Sequence, residues 1–267
     1  MTPSFNPCVI GYVPPPDFGC SKVFLANLRK FKTTYPVLLF SDHAYEGMIK
    51  LKAPVDLAKQ HATERTKPFA IANGIFYVAL KIASEHGYSH MLYVESDCRV
   101  GCDNWDGVMF DEYLSLPVPT PTAGTIVCYN PCNVGLEGAR RLEELIKRTE
   151  KERLIPIAMY GSRGANDPGG ISLFANGALA IYSLDWMRRL FPMQRIVELA
   201  GQTFAFDFEI GLRLYEMIGL AVFDSVGLLT KSYSGYGDVY TTEEQRMEML
   251  RSGQIVAVHQ VKSKETM

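Results

Sequence analysis

The sequence predicts an α/β fold: a three-layer α/β/α arrangement around a mostly parallel central sheet. Two observations carry this. First, apolar runs of strand character at 8–13 and 36–42 flank an amphipathic helical stretch at 22–33. A strand–helix–strand unit of this length joins parallel neighbours. Second, apolar runs end abruptly in polar residues. Ser41-Asp42 closes one, and Glu95-Ser96-Asp97 closes the run Met91-Leu92-Tyr93-Val94. Open α/β sheets bind their ligands at such carboxyl ends of strands.

Taken in order, the first strand at 8–13 runs into Pro14-Pro15-Pro16-Asp17-Phe18-Gly19, a stiff loop on the ligand edge. Ser21 reads as the N-cap of the helix at 22–33, which presents Phe24, Leu25, Leu28 and Phe31 on one face. Residues 43–66 show no clear period. From 68 to 86, Phe69, Ala72, Ile75, Phe76, Ala79, Leu80 and Ala83 form a broad apolar helical face, which Gly87-Tyr88 ends. Glu64, Arg65 and Lys67 before it read as a solvated charge cluster, with an anion site at the helix start as the sharper alternative.

Residues 100–121 read as irregular, with one short helix near Asp111. A strand at 124–129 follows, then a charged surface helix at 136–154 supported by pairs such as Glu144/Arg148, then a short strand at 155–160. The segment 161–170 holds four glycines and one proline and reads equally as a lid or a connection. Beyond it come a turn and a buried strand at 174–183, and a helix at 184–200 with Trp186, Met187, Leu190 and Ile196 facing the core. The apolar stretch 203–215 opens a further helix, whose first turn carries Asp207 and Glu209. A strand at 221–226, an aromatic and glycine-rich loop at 232–240, a helix at 242–251 and a last strand at 255–259 complete the chain. No repeat, linker or low-complexity tract interrupts it, so residues 1–267 read as a single domain.

Composition narrows the function classes. The chain is 47% hydrophobic and 21% charged, an ordinary globular balance. A net charge of −2 leaves no basic field, which argues against nucleic acid as the main partner. No apolar stretch reaches the roughly 18 residues of a transmembrane segment. The proline-rich start lacks the basic head of a signal peptide. These features predict a cytoplasmic protein. Its six cysteines then read as free thiols in a reducing compartment. Cys98/Cys102 and Cys128/Cys132 share a C-x3-C spacing, for which small buried thiols are favoured over zinc.

Three ionisable sets sit at the ends of apolar segments. Glu95 and Asp97, at i and i+2 on an extended backbone, point the same way and make a paired oxygen site, although acids simply capping a solvated strand end are the plainer reading. Asp207 and Glu209 enter at a helix start, where the dipole favours acids, so capping and a functional role are equally open readings. His259 ends the last apolar strand, with Lys262 nearby. A histidine so placed is more often a satisfied core or edge residue than a ligand.

Together the three sets resemble nucleotide-sugar glycosyltransferases of the GT-A fold, a Rossmann-like nucleotide-diphospho-sugar transferase architecture, and among these the inverting family 2 type. Glu95-Ser96-Asp97 is similar to their acid-x-acid (DxD) signature after a central strand, with Glu in the first place. Asp207 and Arg213 keep the register of the family 2 pattern Glu-Asp-x5-Arg, with Phe206 in place of its Glu. His259 and Lys262 resemble the late histidine and its basic neighbour. The resemblance implies a metal-dependent, hexosyltransferase-like enzyme that moves a sugar from a nucleoside-diphosphate donor to a hydroxyl acceptor, saccharide or other. It implies that Asp97, His259 and Glu95 hold Mn²⁺ or Mg²⁺, with Glu95 acting through water or on the ribose. It implies that Lys262 sits on the diphosphate and that Gly11, Tyr12 and Asp42 lie along the base and ribose. Asn176 and Gly177 would border the sugar or acceptor. Asp207 would be the general base, with Glu209 as substitute.

Two rivals remain at this level. A catalytically silent nucleotide-binding or assembly protein keeps the same scaffold. A nucleotidyltransferase also sets carboxylates and a metal on an α/β sheet, but usually has a glycine-rich basic loop where this chain has Pro14-Pro15-Pro16-Asp17. The absence of G-x-G-x-x-G after the first strand and of G-x4-G-K-[ST] sets aside a Rossmann dehydrogenase and a P-loop enzyme.

Overall fold

A computed structural model of the chain describes residues 4–15, 19–43, 45–50, 67–116, 120–128, 172–191, 206–218, 226–234, 241–259 and 261. Strand β1 (Pro7–Tyr12), helix α1 (Gly19–Lys30) and strand β2 (Val37–Ser41) form the expected unit, with β1 and β2 parallel and Val9 opposite Val37. Strand β3 (Ile49–Lys50) extends the sheet beside β2. Helix α2 (Lys67–Glu85) returns the chain to β4 (His90–Val94), which lies parallel to β1 on its other side. Next come β5 (Arg99–Val100), α3 (Trp105–Leu114), β6 (Thr122–Cys128), β7 (Ser172–Ser183), α4 (Leu184–Leu190) and α5 (Phe206–Ile218). The described chain closes with β8 (Val226–Leu228), β9 (Ser232–Ser234), α6 (Glu243–Arg251) and β10 (Ala257–His259).

The main sheet has the order β3-β2-β1-β4-β7-β6-β8, and β5-β10-β9 form a second, small sheet. All main-sheet strands run one way except β7, which is antiparallel to both β4 and β6. Period-two alternation divides the core into two layers. Cys8, Ile10, Met91, Tyr93, Ala180 and Tyr182 face α2, α4 and α5. Val9, Leu92, Val94, Leu179 and Ile181 face α1 and α3. Each central strand is thus apolar on both faces, as a covered sheet requires. Phe76 of α2 stacks on Phe206 of α5 with ring centroids 3.9 Å apart and planes 7° from parallel. That contact fixes the head of α5 against α2, and the Phe206 ring also meets Tyr93 of β4 edge-on at 5.8 Å.

Polar side chains close the remaining edges. Asn27 of α1 donates to the Val100 carbonyl at 3.0 Å and accepts from the Val100 N–H at 2.8 Å, so it covers the open side of β5. Thr242 caps α6 in a reciprocal capping box with Gln245.

Several expectations need correction. Ser21 is not an N-cap: α1 begins at Gly19, and the Ser21 hydroxyl donates at 3.1 Å to the carbonyls of Pro14 and Pro15 instead. The stretch from 174 does not start in a turn; β7 is continuous from Ser172. Its pairing with β6 does slip there, because Ala180 faces Gly124 while Ala175 faces Ile126, so the chain is kinked within the strand. The helix from Leu184 breaks at Phe191, which precedes a proline and leaves the helical conformation at φ −125° and ψ 78°; residues 192–200 of the expected helix lie outside the described set. The loop expected from Ser232 opens with a strand, β9, held by β10. The strand expected at 221–226 appears at Val226–Leu228, its earlier residues lying outside the described set. The charge cluster Glu64/Arg65, the helix at 136–154, the strand at 155–160 and the glycine-rich segment 161–170 lie outside it too. Among the described residues, no helix is long and apolar enough to cross a membrane.

Candidate active site

The site is built where β4 ends. The Glu95 N–H donates to the Ala178 carbonyl at 3.0 Å, which ends the strand against β7. The chain then folds over, and the Cys98 N–H returns to the Glu95 carbonyl at 3.0 Å. Glu95 and Asp97 therefore share a tight turn and not an extended backbone. The alternation argument for their convergence fails, but a short turn brings the two carboxylates together all the same.

The third member arrives from the other sheet. His259 ends β10, and its Nε2 lies 3.2 Å from Asp97 Oδ1 and 3.7 Å from Glu95 Oε2. The Asp97 carbonyl accepts the Val261 N–H at 3.0 Å, so the backbone just past β10 is fastened to the turn. The imidazole is 3% exposed, while Glu95 at 36% and Asp97 at 25% open to solvent. On its far side, His259 Nδ1 is 2.7 Å from Ser234 Oγ. Parallel pairing of β9 with β10 sets Ser234 directly opposite His259. With Nδ1–H donating to Ser234, Nε2 is turned to the carboxylates: without a metal it carries the proton that they accept, and a bound cation would take that proton's place, the orientation usual for metal-binding histidines.

Charge follows this geometry. Burial pulls the His259 imidazolium down, but the hydrogen bonds and charges of Asp97 and Glu95 outweigh it and push the group up to about 9. For Asp97, burial acts to raise the carboxyl, and the bond to His259 with the nearby Arg99 charge holds it below the usual range. Two carboxylates and a buried imidazole thus converge on a point that favours positive charge. Their ligand atoms all lie within 4.8 Å of one another. The mixed oxygen and nitrogen donor set fits a divalent cation such as Mn²⁺.

Beside this cluster a cleft of about 240 Å³ is lined by Tyr12, Pro14, Ile71, Ala72, Ile75, Tyr93, Glu95 and Ser96. Tyr12 ends β1, and its hydroxyl donates to Asp42 Oδ1 at 2.5 Å, joining the ends of β1 and β2. Gly11 sits under it: a Cβ there would come within 2.9 Å of the Val94 carbonyl oxygen. On the other side of Glu95, the kinked part of β7 brings Gly177 to the head of α5, where the Gly177 N–H donates to Asp207 Oδ2 at 3.0 Å.

No protein-family model matches the sequence, and no curated protein matches it. Similarity to solved structures is clear at the level of architecture. Core-mannan synthase A of Aspergillus fumigatus, in a form with manganese and GDP, aligns with a TM-score of 0.51 and 12% identity over 86% of this chain and 74% of that one. Mouse xyloside xylosyltransferase 1 in its apo form aligns with a TM-score of 0.49 and 11% identity over 95% of this chain and 97% of that one. The chain has a GT-A fold.

Within this GT-A scaffold, Glu95, Asp97 and His259 come together, while Tyr12 lines the cleft, follows Gly11 in β1 and holds Asp42 through its hydroxyl. Asp207 and Gly177 are in direct contact. Glu209 is turned away: 1% exposed, it accepts from Arg213 Nε at 2.5 Å, and Arg213 Nη1 donates to the Leu190 carbonyl at 2.8 Å. Asn176 lies in the β7 kink, its side chain outside the described set, and Lys262 is outside it altogether. The thiols Cys8, Cys20, Cys98 and Cys102 are free. Cys98 is buried, donates to the Ala178 carbonyl at 3.3 Å, and is pushed well up by burial, as suits an inert packing residue. Cys132 and the Cys128 side chain lie outside the described residues.

Sequence reasoning missed Ser234 and the cleft wall formed by Ile71 and Tyr93. No local pattern marks Ser234, which matters only through its pairing with His259. Tyr93 was legible as the last residue but one of a strand ending in acids.

Proposed function

We propose that this chain, as one domain over residues 1–267, is a metal-dependent glycosyltransferase that moves a hexose-like sugar from a nucleoside-diphosphate donor to an acceptor hydroxyl. The observation that supports this reading best is the convergence of Glu95, Asp97 and His259 beside a cleft at the carboxyl end of β4, on a GT-A scaffold. Asp97 and His259 would hold Mn²⁺ or Mg²⁺ directly, and Glu95, the more exposed acid, would reach it through water or touch the ribose. A divalent cation so held supplies Lewis-acid stabilisation to the departing diphosphate. The manganese and GDP of the fungal mannan synthase structure agree with such a site.

The cleft suits the donor's base and ribose. Ile71, Ala72, Ile75 and Tyr93 give it apolar walls for a flat ring, while Glu95, Ser96 and the Tyr12 hydroxyl give it a polar rim. Tyr12 holds Asp42 in place at the β1–β2 end, which orients that carboxylate for a base or ribose donor. Lys262, a few residues past His259, is assigned to the diphosphate.

Asp207 is the general base in this reading, taking the proton from the acceptor hydroxyl as it attacks the sugar carbon. Its support is placement: it is half-buried at the head of α5, and the consecutive residues Gly177 and Ala178 link it to Glu95 through one N–H and one carbonyl. Glu209 is the poorer choice, because Arg213 occupies its buried carboxylate. A base opposite the leaving group favours inversion. The free thiols suit a reducing compartment, and we place the protein in the cytoplasm.

Calorimetry with UDP and GDP tests the site. Mn²⁺ should be required for tight nucleotide binding by the wild type, and Asp97→Ala should lose that requirement along with the affinity. Metal-independent binding unchanged in Asp97→Ala would overturn the site. A panel of nucleotide sugars scored for metal-dependent hydrolysis then identifies the donor. No turnover of any donor, with nucleotide still bound, would point to a silent binding protein.

A further inference from the structure

Arg99 follows the acid-bearing turn and is fully buried, at 0% exposure. A buried guanidinium is costly, and a chain tolerates it where its hydrogen bonds and charge are used. Its Nη1 donates to the Cys98 carbonyl at 2.8 Å and reaches the Ser96 carbonyl at 3.5 Å. Ser96 and Cys98 are the residues on either side of Asp97. One nitrogen therefore grips the backbone both before and after the principal carboxylate. Arg99 is also the first residue of β5 and lies opposite Val258, the neighbour of His259, in the antiparallel β5–β10 ladder. The same residue thus belongs to the strand that carries the histidine's sheet and to the turn that carries the acids.

We propose that Arg99 is a positioning residue for the cation site. It holds the Glu95–Cys98 turn in register with β10, so that the Asp97 carboxylate and His259 Nε2 meet at one point. It touches neither the donor nor the acceptor. This rests on the reading of Glu95, Asp97 and His259 as a metal site, and it adds a residue behind that site which sets its geometry. Lysine does not replace it, because its side chain ends one bond short of the Nη1 position that reaches both carbonyls, and its ammonium is a flexible point charge where the guanidinium is planar and pre-organised.

The test measures Mn²⁺ binding alone, by electron paramagnetic resonance, for wild type, Arg99→Lys, Arg99→Met and Asp97→Ala. The Arg99 variants should bind Mn²⁺ about 10–100-fold more weakly, the usual effect of losing a partner just outside the ligand set. Arg99→Lys, which keeps the charge, should retain a melting temperature close to wild type in EDTA. With a donor in hand, its KM for Mn²⁺ should rise while kcat recovers at excess metal. Wild-type Mn²⁺ affinity in folded Arg99→Lys would overturn the proposal, as would a fall in melting temperature with affinity unchanged. The Asp97→Ala arm separates the two levels: if it too binds Mn²⁺ like the wild type, the metal site itself is wrong, and the role of Arg99 falls with it.

Discussion

Gly177 and Asp207 are joined by a hydrogen bond of 3.0 Å from the glycine N–H to the aspartate Oδ2, across the junction of a kinked strand and a helix head. The next residue, Ala178, accepts from the Glu95 N–H at 3.0 Å. Two consecutive residues of β7 therefore set the spacing between the carboxylate assigned to proton transfer and the turn assigned to the cation.

Asp207→Asn keeps a side-chain oxygen to accept the Gly177 N–H, so the fold and donor binding should persist. The rate should fall by about 10²–10⁴-fold, the usual contribution of a general base. Steady-state kinetics beside nucleotide calorimetry separate the two effects. An unchanged kcat would make Asp207 a purely structural link.

Gly177→Ala should damage the same junction from the other side. An added Cβ would lie 2.5 Å from Phe206 ring atoms and 2.9 Å from Asp207 Cβ. Phe206 is stacked on Phe76 and cannot retreat without opening the core. Overpacking of this kind costs about 1–3 kcal/mol. Urea unfolding should show that loss, with a parallel loss of turnover as Asp207 is displaced. Wild-type stability would mean that the strand yields more readily than its contacts indicate.

Arg213→Ala should destabilise the protein without touching the cation site. It leaves the Glu209 carboxylate, 2% exposed, without its guanidinium. Breaking a buried pair by removing one partner costs about 3–5 kcal/mol, and the 20% exposure of Arg213 places this case at the lower end. Chemical denaturation gives the stability change, and Mn²⁺ titration of the folded variant should match wild type. A large loss of metal affinity would contradict the separation of the two acids.

The metal-free protein should be sensitive to alkaline pH. His259 is pushed up to about 9 from an unfolded value near 6.5. Its contribution to stability is complete below the unfolded value and is lost as pH rises through the folded one. Melting temperature in EDTA should therefore decline between about pH 6.5 and 9, and His259→Gln should flatten that decline. Binding of Mn²⁺ near neutral pH should release about one proton, read from binding enthalpies in buffers of different ionisation heat. No proton release would place the cation away from Nε2.

Much of this architecture was legible because it is local or periodic. The βαβ start, the apolar face of α2 and the acids closing β4 follow from spacing alone. Asp207 was visible as an acid at a helix head. What was hidden depends on pairing between distant short segments. Ser234 meets His259 only because two three-residue strands lie side by side, and three residues carry no readable period. The conformation of residues 95–98 was misread, since an acid-x-acid triplet looks alike in a strand and in a turn. The continuity of β7 was masked by Asn176-Gly177, which signals a turn in sequence but occupies a kink.

The reversed strand β7 lies between β4 and β6, so the sheet cannot close until that late segment inserts. During synthesis, β1, β2 and β4 emerge first and leave one flank of β4 unpaired while a long stretch of chain is still being made. Pairings of such long range are slow and leave open backbone vulnerable to aggregation. His259 follows later still, so a nascent chain displays its two acids well before their histidine. The three side chains can therefore meet only once β10 has been made, long after the turn that carries the acids.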